Sequence, residues 1–135
     1  MRLRLFFGAV LVCALVSVNG ATAADAAPKR VFKGKTAQKR NIRLDVRPGS
    51  IKVIRFKARL ACRDGTTLIV DESGFVRTPI RRGRFRDVQV GRTDEVFFRG
   101  TVKRRVVRGR LRVKDKLRNG VRCRSRWIRF TVRPR

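Results

Sequence analysis

The chain has 135 residues, of which 37 are Lys or Arg and 9 are Asp or Glu, for a formal net charge of +28. It contains no His and no Tyr. That removes the commonest general base, the Ser–His and Cys–His nucleophile pairs and most catalytic zinc sites, so the composition points away from an enzyme and from any resident metal or cofactor.

The first residues read as an export signal. Arg2 and Arg4 precede an apolar run from Leu5 to Val18, too short to span a bilayer comfortably. Ala21-Thr22-Ala23 and Ala24-Asp25-Ala26 then supply the alanine spacing that a signal peptidase reads. The expectation is a signal peptide over 1–26, cleaved after 23 or 26, and an extracellular or cell-envelope protein. Removing 1–26 takes away Arg2, Arg4 and Asp25 and leaves 109 residues at +27, enough for one domain. No later apolar stretch predicts a membrane span. Cys13 leaves with the signal, so Cys62 and Cys123 remain. Two cysteines in an exported chain, with no His to join them at a metal, predict one disulfide.

Residues 27–40 are small, polar and basic and read as a flexible lead-in, with at most a short strand at Val31-Phe32. From 41 to 135 a single β domain is expected. Ile42, Leu44 and Val46 alternate with Arg43 and Asp45, and Pro48-Gly49 supplies a turn. Ile54, Phe56, Ala58, Leu60 and Cys62 form the longest clean alternation, which ends at a hairpin signal, Asp64-Gly65. Thr66 to Val70 returns, and Asp71-Glu72-Ser73-Gly74 reads as another turn.

An internal repeat follows. Gly74-Phe75-Val76 with Arg82-Gly83-Arg84-Phe85-Arg86 recurs at an offset of 26 as Gly100-Thr101-Val102 with Arg108-Gly109-Arg110-Leu111-Arg112, and reads as one hairpin used twice. Between the copies lie Val88 to Val90, a turn at Gly91-Arg92-Thr93-Asp94, and a strand through Val96, Phe98 and Val102. In the last hairpin Val107, Leu111, Val113 and Leu117 share one parity, and Arg108, Arg110, Arg112, Lys114 and Lys116 the other. Asn119-Gly120 is the turn. Val121, Cys123 and Trp127 return on the apolar parity against Arg122, Arg124 and Arg126. The apolar phase then slips to Ile128, Phe130 and Val132, which predicts a bulge near Trp127. The fold class is all-β: an antiparallel sandwich or small barrel or meander of about eight strands, with both sulfurs facing the core.

Asp71/Glu72 and Asp94/Glu95 are the only adjacent acid pairs that resemble the two carboxylates of a glycosidase. Neighbours on a strand diverge, and surrounding arginines are expected to hold the carboxyl pKa values down.

The positive signal is sided charge. Lys103 to Arg135 holds fifteen basic residues against one acid, Asp115. Side chains on one face of a strand recur every ~6.6–7 Å, close to the phosphate spacing of an extended polyanion, and Arg presents a two-pronged fork to phosphate or carboxylate. The candidate polyanion-binding residues are Arg108, Arg110, Arg112, Lys114, Lys116, Arg122, Arg124 and Arg126. The expected partner is an anionic polymer of the envelope: a teichoic phosphate, an acidic glycan or anionic lipid headgroups. Nucleic acid ranks below these, because Phe56, Phe85, Trp127 and Phe130 fall on core parity, only Phe97 is placed outward beside Arg99, and export takes the protein away from most nucleic acid. The competing readings are a structural or protein-interaction domain that its basic surface merely solubilises, and a membrane-active cationic effector.

The segment from Gly100 through Asn119-Gly120-Val121-Arg122-Cys123 to Trp127, with the earlier Cys62-Arg63-Asp64-Gly65, resembles small exported actinobacterial all-β proteins of unknown function. The resemblance rests on a signal peptide, glycine-punctuated strands, an early Cys before an Asp-Gly turn, and a late Cys with Trp four residues on. It implies a secreted β domain and no particular activity.

Overall fold

The computed structural model describes residues 28–135, so the expected signal peptide and both of its cleavage points lie outside the described residues. Nine strands follow in order: β1 (Arg30–Thr36), β2 (Asn41–Arg47), β3 (Ser50–Cys62), β4 (Thr67–Pro79), β5 (Arg84–Val90), β6 (Asp94–Lys103), β7 (Val106–Lys116), β8 (Arg122–Arg124) and β9 (Ile128–Pro134). All pairings are antiparallel, in the order β4-β3-β2-β1-β9-β7-β6-β5, and β8 bridges β3 and β7. Strands β1, β2, β3, β8, β7 and β9 therefore close into a six-stranded barrel. β4 extends from β3 and β6–β5 from β7, and they meet where the Thr78 hydroxyl donates to Asp87 at 2.5 Å. Among the described residues no helix is long and apolar enough to cross a membrane.

Alternation decides the inside. Leu44, Ile51, Phe56, Leu60, Phe98, Val107, Leu111, Val113 and Val132 are fully buried and belong to one continuous core. One inward row is unusual: Phe85, Gly100, Gly109 and Phe130 are direct cross-strand neighbours on β5, β6, β7 and β9. The two rings lie over the two glycines. A Cβ on Gly100 would meet the Arg108 carbonyl and the Phe85 ring, and one on Gly109 would meet the Arg99 carbonyl and the Phe130 ring. Only glycine lets both rings pack flat against the sheet there.

The turns at Pro48-Gly49, Asp64-Gly65, Gly91–Asp94 and Asn119-Gly120 fall where alternation breaks. Three expectations are corrected. Residues 30–36 are not a flexible lead-in but a barrel strand between β2 and β9, with Phe32 only 1% exposed. Its pattern is short, and Gly34 interrupts it, because the Thr131 carbonyl passes too close for any side chain. Residues 71–74 do not turn. β4 runs straight through them because the basic face of β3 supplies partners: Lys57 pairs with Asp71 at 3.3 Å, and Arg55 donates to the Ser73 hydroxyl at 3.3 Å. The 26-residue repeat is not a repeated hairpin. Gly83 occupies a left-handed turn at φ +71°, whereas its counterpart Gly109 lies inside β7.

The barrel closes at a narrow seam. β8 pairs with β3 at Ala61–Arg124 and Cys62–Cys123, and the two cysteines form the expected disulfide. Between Phe56, where β2 ends its pairing, and Ala61, the Gln38 side chain stands in for a strand: it accepts from the Arg59 N–H at 2.8 Å and donates to the Arg59 carbonyl at 3.1 Å. On the outer side of β2, Asp45 is buried beneath Arg43 and Lys29 at 2.8 and 2.9 Å. Burial alone would raise its carboxyl pKa, but hydrogen bonds and charge from those two cations outweigh burial and hold the carboxyl below its ordinary value.

Two outcomes follow. The disulfide spans a sequence separation of 61, so replacing both cysteines with Ala should lower the unfolding free energy by about 4 kcal/mol. The urea midpoint measures this, and an unchanged midpoint would show that the seam holds without the bridge. Because the native Asp45 carboxyl is depressed, its contribution is complete above its unfolded value of about 4 and disappears as pH falls through the native value. Asp45→Asn should therefore cost about 1 kcal/mol at neutral pH. The gap between variant and parent should narrow below about pH 4, and a gap that stayed constant into acid would rule out this account.

Candidate polyanion-binding face

Cross-strand register converts single alternating strands into rows of side chains on the barrel exterior. One outward row reads Arg84, Thr101, Arg108 and Thr131 across β5, β6, β7 and β9. The next reads Arg86, Arg99, Arg110 and Arg129, four guanidinium groups on four adjacent strands. Strands lie ~4.8 Å apart, so each of these arginines has a like charge directly beside it, a destabilising arrangement in the absence of counter-charge. A shallow groove runs between the two rows, lined by Arg84, Arg86, Arg99, Arg108, Arg110 and Arg129.

The third row sets aromatic and apolar groups around one arginine, Arg112. Val88 and Phe97 are register partners, Phe97 faces Arg112, and Trp127 lies on the far side of Arg112. The Arg112 guanidinium sits 4.9 Å from the Phe97 ring centre and 5.0 Å from that of Trp127. Arg99 and Arg110 approach the same indole at 5.1 and 5.2 Å, and the Lys114 ammonium reaches Phe97 at 5.1 Å. Each such approach contributes about 0.5–1 kcal/mol at an exposed site. The Nε of Arg112 is buried in this stack and has no hydrogen-bond partner among the described residues. A fourth row carries Glu95 paired with Lys114 at 3.6 Å, and Lys114 is the register partner of Arg124.

The eight basic residues expected from the sequence fall on the exterior of β7, β8 and the link to β9. Arg108, Arg110, Arg112, Lys114 and Lys116 follow β7. Arg122 and Arg124 lie beside Lys116 and Lys114, and Arg126 is exposed. Alternation along a hairpin misses Arg86, Arg99 and Arg129, because it fixes which way a residue points and not which strand lies beside it.

Trp127 requires a correction. Alternation puts it on the core side with Cys123, but it is 36% exposed, while Cys123 is 2% exposed. The cause is the position of the bulge. Inward residues are odd-numbered up to Ser125 and even-numbered from Ile128, with Arg126 and Trp127 both outside. The extra residue is therefore inserted before the indole, not after it. Ser125 holds the bulge: its N–H donates to the Val113 carbonyl and its hydroxyl accepts from the Val113 N–H, both at 2.9 Å.

The acids divide as neighbours on strands must. Asp71 and Glu95 point outward to lysines, whereas Glu72 points inward and Asp94 faces Asp115 across β6 and β7. The expectation that arginines depress these carboxyls fails at Glu72, whose pKa is raised by burial first and then by the charges of Asp94, Asp115 and Asp71. Among the described residues no cluster of His, Cys, Asp or Glu is arranged to hold a metal ion.

Fold and surface together define a small closed β-barrel with a guanidinium-lined, aromatic-bearing outer face. Compared with known proteins, the chain matches no family model, no curated protein and no solved structure.

The bulge that turns Trp127 outward can be tested. Ser125→Ala leaves the buried Val113 N–H without its acceptor, at a cost of about 1–3 kcal/mol. Trp127 is the single tryptophan of the chain, so a shift in its emission should accompany the lower urea midpoint. A stable variant with unchanged emission would show that Ser125 does not hold the bulge.

Proposed function

We propose that this protein is a non-catalytic binder of anionic polymers, exported to the cell envelope or beyond, and that it engages them through the outer face of β5 to β9. The observation that supports this most directly is the row Arg86, Arg99, Arg110 and Arg129. Like charges in direct register destabilise a sheet, and a polyanion laid across them converts that repulsion into attraction. The eight cations of β7, β8 and the bulge extend the face, and the groove beside the row gives an extended chain a path. Teichoic phosphates, acidic glycans and anionic headgroups all carry suitable groups and occur in that compartment.

A second reading, a protein-interaction domain, has one specific observation in its favour. Phe75 is 93% exposed on β4, and Ile69 on the same outward side is exposed too.

Salt separates the two readings. Retention on immobilised polyphosphate should fall linearly in log K against log salt, with a slope that counts the phosphates neutralised. Exchanging Arg86, Arg99, Arg110 and Arg129 for Gln should reduce the magnitude of that slope by roughly one for each phosphate no longer neutralised. Retention that ignored both salt and these substitutions would remove the polyanion reading and leave the protein-interaction one.

A further inference from the structure

Resting on the polyanion reading above, we infer that the anionic polymer is a single-stranded nucleic acid, whose bases stack on the Phe97–Arg112–Trp127 platform while its phosphates lie along the neighbouring arginine row. A purely electrostatic polyanion site has no use for aromatic groups. Here one row carries Val88, Phe97 and Trp127 around Arg112, and it lies immediately beside the row Arg86, Arg99, Arg110 and Arg129. Successive rows along a strand are ~6.6–7 Å apart. That offset matches the reach from a phosphate to its own base in an extended strand. A basic groove interleaved with stacking side chains is the arrangement by which single strands are held without sequence preference. Of the four aromatics that alternation assigns to the core, Phe56, Phe85 and Phe130 are buried, and the bulge at Ser125–Arg126 turns Trp127 out beside Phe97.

The composition of the platform favours bases over sugars. Sugar rings stack on bare aromatic faces through their C–H groups. In this protein Arg99, Arg110 and Arg112 lie against the indole, and Arg112 and Lys114 against Phe97. A guanidinium plane offers a C–H group little, but it stacks on a planar base as an aromatic ring does. Stacking requires unpaired bases, so a single strand is favoured over a duplex.

The test uses oligothymidylate of about twelve nucleotides, within the size of known single-strand sites, and an abasic oligonucleotide of equal length with the same phosphates and no bases. A polyuronate and a duplex of the same length complete the set, all at one salt concentration. Oligothymidylate should bind at least about tenfold more tightly than the abasic strand, consistent with stacking on one or two bases, and should quench the emission of Trp127. Trp127→Ala and Phe97→Ala should each lose about tenfold against oligothymidylate and distinctly less against the abasic strand, with Trp127→Phe recovering part of the loss. Anisotropy of a labelled strand reads the variants, and circular dichroism confirms their fold. Equal affinity for the two strands, with no quenching, would overturn the inference and leave the polyanion reading standing. Tighter binding of the polyuronate or of the duplex would overturn it in favour of that ligand. Failure to bind any of the four would overturn both readings.

Discussion

The structure depends on a short seam. β8 contributes three residues, and its ladder to β3 consists of two residue pairs, one of them the bonded cysteines. Everything else in the barrel is a meander of neighbours in sequence, or the docking of the last strand against β1 and β7. Without the seam, β3 beyond Phe56 and β7 beyond Leu111 would each present an open edge, and the barrel would not close there. Gln38 extends the closure by giving Arg59 the two backbone bonds that a longer strand would have made. The covalent bond therefore fixes more than two residues. It joins the two ends of the meander into a ring.

Closure also explains how so basic a chain stays folded. Once the sheet has an inside, alternation sends nearly every cation outward, where water and counter-ions screen it. The few acids act locally. Asp45 is buried between Arg43 and Lys29, and Asp71 and Glu95 each neutralise one lysine on a neighbouring strand. No acid stands at the named positions of the two arginine-bearing rows on β5, β6, β7 and β9, so the repulsion there is left unrelieved by the protein's own residues. Conversely, Glu72, Asp94 and Asp115 come together on the inner side, where burial and mutual repulsion raise the Glu72 carboxyl.

Much of this is legible in the residues. Strict alternation yields the all-β class, the β3 and β7 strands and the inward sulfurs. Glycine and asparagine mark four of the turns, and the phase slip marks the bulge. What escapes is whatever a partner strand supplies. β1 carries only one fully buried large side chain, and its place in the barrel comes from β2 and β9. Asp71 to Ser73 looks like a turn until Lys57 and Arg55 are laid beside it. Arg86, Arg99 and Arg129 are scattered in sequence and become a row only in register. Trp127 falls on the wrong side by a single residue, because a phase slip read from sequence locates a bulge only to within the residues that separate the two phases.

The bulge at Ser125 and Arg126 has a consequence for how this chain can vary in length. Upstream of it the strand is clamped by Cys123, and downstream Ile128, Phe130 and Val132 are locked between β7 and β1. Deleting one residue in between would make the spacing from Cys123 to Ile128 even, so alternation would run through without a bulge, Ile128, Phe130 and Val132 would stay inward, and one of the two outward residues, Arg126 or Trp127, would be lost. Gaining or losing a residue in the tip at Arg118 to Gly120 costs neither face a side chain, since nothing beyond the hairpin end must keep phase with it. Lineages of this sequence should therefore vary in length at the tip without effect on the outer face, whereas a chain one residue shorter between Cys123 and Ile128 should keep its core and lose the paired outward residues.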